Sequence, residues 1–108
     1  MGELAYVNGA FGPIAEAKVS IEDRGFQFGD GIYEVIVAYD ERLFLVEQHM
    51  RRLRRSAAGI ALDYDFEDRP LEPIIAEGLR RSELRDALIY IQIKIGRASC
   101  RERVYVLV

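Results

Sequence analysis

Cysteine and histidine are scarce in this sequence of 108 residues, which contains one of each. A single cysteine cannot build an internal disulfide framework or a cysteine-based metal site. With one histidine beside it, a structural zinc site is also out of reach. We therefore assign no residue of this chain to a metal site.

Long apolar runs and an excess of positive charge are also missing. The longest apolar stretches are far too short to cross a bilayer, and residues 1–4 contain neither the basic nor the apolar part of an export signal. The net charge of −3 creates no basic field that would attract nucleic acid. We expect a cytoplasmic protein with no membrane partner and no nucleic-acid partner.

What the chain does contain is enough apolar sequence for one small domain. The best predicted strand is residues 32–39, which are β-branched, aromatic and apolar on both faces except at Glu34. A turn at residues 40–42 predicts a short return strand at residues 43–46. The other predicted strands are residues 4–7, 18–21 and 87–93, and residues 10–13 are predicted as a strand or a loop.

Two helices are predicted between these strands. Apolar residues at intervals of four and three form one helical stripe, and they are Val46, Met50, Leu53, Ala57 and Ile60. Gly59 is predicted to mark the end of this helix. A second helix is predicted between residues 68 and 82, although Pro70 and Pro73 leave its start open. The order of the elements predicts an α+β domain with a mainly antiparallel sheet.

A glycine-rich stretch, "RGFQFGDG", precedes the best strand. Gly25, Gly29 and Gly31 can adopt positive φ angles, so the chain can fold back sharply here. One interpretation is that this backbone sets Tyr33 at the edge of a pocket, and the other is an ordinary tight loop. The residues alone favour the ordinary loop. The stretch is also not a phosphate-binding loop, because it lacks the lysine and the glycine spacing of one.

A polar strip borders the apolar stripe of the first helix, because His49, Arg52 and Ser56 are spaced three and four residues apart. A guanidinium on this border suits a phosphate or a carboxylate, since its planar fork donates two parallel hydrogen bonds. The alternative is a surface salt bridge, which the geometry alone favours. Arg51 and Arg55 point away from the stripe and are predicted to be solvated. Glu34 is interpreted as a buried acceptor for backbone donors.

Three segments together, "AYVNG", "EAKVSIEDRGFQFGDGIYEV" and "FLVEQHMRRLRRSA", resemble the start of the class IV pyridoxal-phosphate (PLP) aminotransferases. The resemblance covers about residues 5–93, and "DRGFQFGDGIYE" is nearest to the D-amino-acid (D-alanine) aminotransferases. Branched-chain aminotransferases and aminodeoxychorismate lyases have related loops and remain alternatives. The resemblance implies an α+β N-terminal domain, a larger C-terminal domain, PLP between the two, and a homodimer that completes the active site. The intact enzyme would transfer an amino group between a D-amino acid and a 2-oxo acid.

The resemblance also implies roles for two residues. The family motif H-x-x-R-L matches residues 49–53 and assigns the cofactor phosphate to Arg52. The tyrosine of the family motif G-x-Y-E corresponds to Tyr33, which would line the substrate side. The lysine that forms the Schiff base with PLP belongs to the C-terminal domain of the family, and neither Lys18 nor Lys94 corresponds to it. We therefore predict no catalytic residue in this chain and no transaminase activity from the chain alone.

The end of the chain departs from the family pattern. Close relatives continue the last strand as Y-x-Q-x-T-R-G, whereas "YIQI" is followed here by "KIG", without the arginine that helps to bind the substrate carboxylate. Residues 95–104, "IGRASCRERV", match without a mismatch the translation of a common sequencing-adapter DNA, ATC GGA AGA GCG TCG TGT AGG GAA AGA GTG. We expect residues 1–94 to be a truncated N-terminal domain and residues 95–108 to be an adapter-derived or otherwise non-native tail.

Such a tail has no evolved place on the sheet, and we expect it to lie loose or to be extended as a strand. The adapter does not account for residues 105–108. The alternative from a different class is a stand-alone, non-catalytic binding module whose native C-terminus lies here.

Overall fold

The computed structural model describes residues 3–7, 9–19, 21, 29, 31–95 and 102–108. Its elements are strands and helices in the order β1 (Leu4–Val7), β2 (Ala10–Pro13), β3 (Gly31–Tyr39), β4 (Arg42–Leu43), α1 (Val46–Gly59), α2 (Glu72–Ser82), β5 (Ala87–Ile95) and β6 (Glu102–Leu107), with a short 3-10 turn at Ile14–Glu16. The six strands form one sheet in the order β2-β1-β6-β5-β3-β4. All of its strand pairs are antiparallel. The prediction of an α+β domain with two helices is confirmed.

One face of the sheet carries the core. The longest pairing joins β3 and β5 from Gly31 opposite Lys94 to Ala38 opposite Ala87. Alternation along each strand sends every second side chain to this face, where Ile32, Ile36, Ala38, Ile89, Ile91 and Ile93 are buried. The apolar stripes of the two helices belong to the same core cluster, through Met50, Leu53, Ala57, Ile75 and Leu79.

The other face of the sheet is partly open among the described residues. Tyr33 and Val35 of β3 are 62% and 38% exposed, and Leu88 of β5 is 65% exposed. Residues 32–39 are therefore apolar on both faces, as the sequence indicates, but only one face is covered by the helices.

The first helix has the predicted bounds except at its last apolar residue. Met50, Leu53 and Ala57 are buried, whereas Ile60 is 48% exposed because the helix ends at Gly59 and the chain turns at Ala61, with a φ of 53°. The second helix begins at Glu72 rather than near residue 68. Pro73 lies in its first turn, where a missing backbone N–H breaks no helical hydrogen bond.

Two strand predictions are wrong. Residues 17–19 are irregular and no described strand pairs with them, and Val19 and Ile21 are 44% and 73% exposed. Four alternating residues do not make a strand where no neighbouring strand bonds to their backbone. The return strand after the hairpin is Arg42–Leu43 alone, because Leu45 takes a φ of 56° and α1 begins at Val46. The predicted loop role of Gly25 lies outside the described residues.

The tail contains a strand. Glu102–Leu107 pairs with β5 on one side and with β1 on the other. Val104, Val106 and Val108 alternate onto the core face and are buried, and the backbone N–H of Val108 donates to the carbonyl oxygen of Leu4 at 2.9 Å. Of the two expected arrangements, the extended strand is the one adopted by residues 102–107. This position says where the residues lie and carries no information about their origin.

Within the part of the chain that the structure describes, both helices are too short or too polar to span a bilayer.

Candidate functional site

Glu34 is a carboxylate on the buried face of β3. Alternation along the strand places it between Ile32 and Ile36 and opposite Ile91, and its side chain is only 3% exposed. An ionised carboxylate that loses its water must be paired and hydrogen-bonded to be tolerated. The local structure therefore requires positively charged or N–H donor groups around Glu34.

Two side chains of α1 supply these donors. The Nε of Arg52 donates to Oε2 of Glu34 at 2.7 Å, and its Nη2 donates to Oε1 at 2.9 Å. The Nδ1 of His49 lies 2.7 Å from the same Oε1. Because His49 and Arg52 are three residues apart on a helix, they share one border of α1 and both reach β3. The two parallel bonds from Arg52 form the bidentate geometry that arginine makes with carboxylates.

The surroundings of Glu34 keep it ionised. Burial alone would raise the pKa of this carboxyl, but the hydrogen bonds from Arg52 and His49, together with their charges, outweigh burial and hold the pKa below its ordinary value of 4.5. An ionised carboxylate has only acceptors, so the Nδ1 of His49 must carry the proton of this hydrogen bond. The hydrogen bond and the charge of Glu34 in turn raise the pKa of Arg52.

The guanidinium of Arg52 retains donors that Glu34 does not use. Arginine has five N–H bonds, and one from Nε and one from Nη2 are directed at Glu34. The Nη1 group and the second N–H of Nη2 remain, with no hydrogen-bond partner among the described residues. They lie on the edge facing away from Glu34, and the side chain is 60% exposed. This outer edge can bind an anion such as a phosphate.

Tyr33 lies on the opposite face of β3 from Glu34. Its ring stacks on that of Tyr90, with centroids 5.7 Å apart and planes inclined by 17°. No hydrogen bond joins Tyr33 to Arg52 in the described structure. The two predicted site residues therefore lie on β3 and on α1 without a hydrogen bond between them.

The sequence alone does not reveal the pairing of Glu34 with Arg52. It predicts backbone donors for Glu34 and favours a surface salt bridge for Arg52, whereas the two residues pair with each other and Glu34 is buried. The necessary information was in the sequence, because the alternation of residues 32–39 buries Glu34 and the polar border of α1 offers an arginine and a histidine. Arg51 and Arg55 are exposed, as predicted.

This chain belongs to the class IV aminotransferases, since the family model "Amino-transferase class IV" matches residues 31–108. It is 46% identical over 93 residues to the D-alanine aminotransferase of Staphylococcus haemolyticus, a match that covers 86% of this chain and 33% of that protein. It is 42% identical over 91 residues to the D-alanine aminotransferase of Bacillus licheniformis, a match that covers 84% of this chain and 32% of that protein. The resemblance inferred from the sequence is confirmed.

The fold is also similar to that of solved structures. The branched-chain aminotransferase of the thermophilic archaeon Thermoproteus uzoniensis, solved with norvaline, superimposes with a TM-score of 0.81 at 26% identity, covering 97% of this chain and 40% of that one. This chain spans about a third of the length of the curated relatives it matches. The family match includes β6 and continues to residue 108.

Proposed function

We propose that this chain is the N-terminal part of a PLP-dependent transaminase that moves an amino group between a D-amino acid, such as D-alanine, and a 2-oxo acid. The observation that carries the proposal is Arg52, which lies in the family motif at residues 49–53 with one edge fixed on Glu34 and the other edge open. The identity of 46% to a D-alanine aminotransferase supports the choice of substrate.

A branched-chain aminotransferase is the second candidate within the class, and the TM-score of 0.81 to such an enzyme favours it. An aminodeoxychorismate lyase remains a third. The loop that separates these groups falls mainly on residues 22–28 and 30, outside the described residues.

The residues present fit the phosphate group of PLP. The outer edge of Arg52 offers parallel N–H donors for phosphate oxygens, and His49 lies beside it on the same helix border. When bound, PLP supplies the electron-accepting ring on which the amino group is exchanged. This chain would hold the phosphate through Arg52, while Tyr33 on the open face of the sheet would line the space for the substrate.

We propose that the chain alone is inactive. Lys18 is exposed within the irregular segment at residues 17–19 and Lys94 is buried in β5, and neither corresponds to the lysine that binds the cofactor in the family. In the intact enzyme, we propose that the remaining two thirds of the chain and a second subunit cover the exposed Tyr33, Val35 and Leu88. We place that homodimer in the cytoplasm.

A chimera tests the function. Residues 1–94 would be joined to the part of the Staphylococcus haemolyticus relative that follows its matched segment. We expect the chimera to transaminate D-alanine with 2-oxoglutarate, and the 108-residue chain incubated with PLP to show neither turnover nor cofactor absorbance after gel filtration. Turnover by the chain alone that survives repurification would contradict the proposal that the lysine that binds the cofactor lies outside this chain.

Arginine substitutions in the same chimera test the phosphate role. Arg52→Ala should weaken PLP retention by about tenfold or more, the loss expected for a hydrogen bond to a charged group. Arg55→Ala is the matched control, because Arg55 is an exposed arginine on the same helix. Equal losses from the two substitutions would show that Arg52 has no special role.

We also propose that residues 95–108 are not native, which rests on the ten-residue identity of residues 95–104 to adapter DNA. The family match and β6 show that residues 102–107 occupy a strand position in the sheet. The adapter identity bears on a different question, which is the origin of the residues in that position. Sequencing the locus from the source DNA should reveal a reading frame that continues after codon 94 into a C-terminal domain. A genuine stop codon after the same tail would instead favour the stand-alone binding module.

A further inference from the structure

Glu34 has a role that the phosphate assignment leaves unexplained. The Arg52 side chain on α1 is held by two hydrogen bonds, whereas the side chains of Arg51 and Arg55 on the same helix are exposed and have no hydrogen-bond partner among the described residues. The carboxylate that holds Arg52 is buried and also binds His49. Such an arrangement fixes the orientation of both side chains before any ligand arrives.

Orientation matters because a free arginine samples many rotamers and loses that freedom when it binds an anion. A guanidinium that is already fixed on its inner edge loses less rotamer freedom when an anion binds. Its outer edge also points in one direction before binding. The fixed strand β3 determines that direction, since Glu34 cannot move without leaving the core between Ile32 and Ile36.

We propose that Glu34 is a positioning residue, which holds Arg52 and His49 so that the outer edge of the guanidinium receives a phosphate monoester. The inference rests on the proposed phosphate role of Arg52 and adds a residue that touches neither cofactor nor substrate.

The carboxylate of Glu34 also repels an anion, and this effect opposes the gain from orientation. Its two oxygens accept three hydrogen bonds from Arg52 and His49, and these donors offset part of the negative charge. If orientation dominates, Glu34→Gln weakens phosphate binding. If repulsion dominates, the same substitution strengthens it.

The 108-residue chain itself can be tested by nitrogen-15 NMR. The Arg52 Nε–H resonance would be followed during titration with inorganic phosphate and, separately, with pyridoxamine 5′-phosphate, which lacks the aldehyde. In the wild type we expect a rigid Nε–H before ligand is added and a saturable shift with either ligand. In Glu34→Gln, a guanidinium that is receptive for about a tenth of the time would raise the apparent Kd about tenfold.

Glu77→Gln is the matched control, because Glu77 also binds two arginines but lies on α2, and it should leave the titration unchanged. If Glu34→Gln does not fold, the wild-type relaxation rates still decide, since a mobile Arg52 Nε–H before phosphate is added would overturn the proposal. Equal or tighter binding by Glu34→Gln would overturn the positioning role and leave the phosphate site standing. No shift at Arg52 in the wild type would overturn both.

Discussion

Strand β5 has two neighbours that differ in what they contribute. With β3 it forms eight register pairs, from Gly31 opposite Lys94 to Ala38 opposite Ala87, and this pairing carries Glu34, Tyr33 and Tyr90. With β6 it forms six pairs, from Tyr90 opposite Leu107 to Ile95 opposite Glu102. On the core face, β6 contributes Val104 and Val106, and Val108 follows it. No residue of the candidate site belongs to β6.

The difference separates what a strand needs from what a site needs. A strand joins a sheet when its apolar residues alternate with the correct period and its backbone groups find partners. The valines at every second position of residues 104–108 meet that condition. A site needs particular residues at particular places, and Glu34 is useful only because Arg52 and His49 lie opposite it. Residues 102–107 therefore complete the sheet without adding to the candidate site.

The largest effect should come from removing β6. A chain ending at residue 101 exposes the edges of β1 and β5 and loses three buried valines, each contributing about 1.5–3 kcal/mol. That loss is a large part of the roughly 5–15 kcal/mol typical of a small domain. We expect the full chain to show a cooperative thermal transition by circular dichroism and the shortened chain to show none. A shortened chain that melts as the full chain does would show that β6 is dispensable.

A smaller loss of stability should follow from Glu34→Ala on β3, the other neighbour of β5. The substitution removes the hydrogen bonds that join β3 to α1 and leaves a space beside Ile36, which should cost about 1–3 kcal/mol. The free energy of unfolding in urea measures this loss. An unchanged urea midpoint would mean that Arg52 and His49 do not hold α1 against the sheet.

The acid dependence of stability sharpens the same point. The pKa of Glu34 in the folded chain lies below its ordinary value of 4.5, so the unfolded chain binds more protons as the pH falls. The stabilisation from Glu34 is therefore complete above about pH 5.5 and is lost as the pH falls through the folded-state pKa. We expect the difference in unfolding free energy between wild type and Glu34→Gln to shrink from about pH 6 to about pH 3. A constant difference would argue against an ionised Glu34.

These elements differ in how far the sequence predicts them, and the difference is physical. The strand at residues 32–39 and the helix at residues 46–59 were predicted because several turns or pleats repeat one period. Residues 18–21 also alternate between polar and apolar side chains, but a strand needs a neighbouring strand to bond its backbone. Four residues of sequence do not reveal whether such a neighbour exists. The pairing of Glu34 with Arg52 spans 18 positions, so only the packing of α1 on β3 creates it. The proposed phosphate role of Arg52 rests on the family motif, because the spacing alone favours a salt bridge.

The smallest loss of stability should come from Glu77→Gln on α2. This substitution tests whether two arginines around a carboxylate are enough to stabilise the fold when the carboxylate is not buried in the core. Arg80 and Arg81 lower the pKa of Glu77 to about 2, first through their hydrogen bonds, yet all three residues lie within four positions of one helix. Arg80 is 71% exposed and Arg81 is 49% exposed, so water and salt screen the pairs. We expect a loss smaller than that of Glu34→Gln, and one that disappears in about 1 M NaCl. The loss from Glu34→Gln should persist in salt because its carboxylate is buried. Equal, salt-resistant losses would show that burial on β3 does not distinguish the two carboxylates.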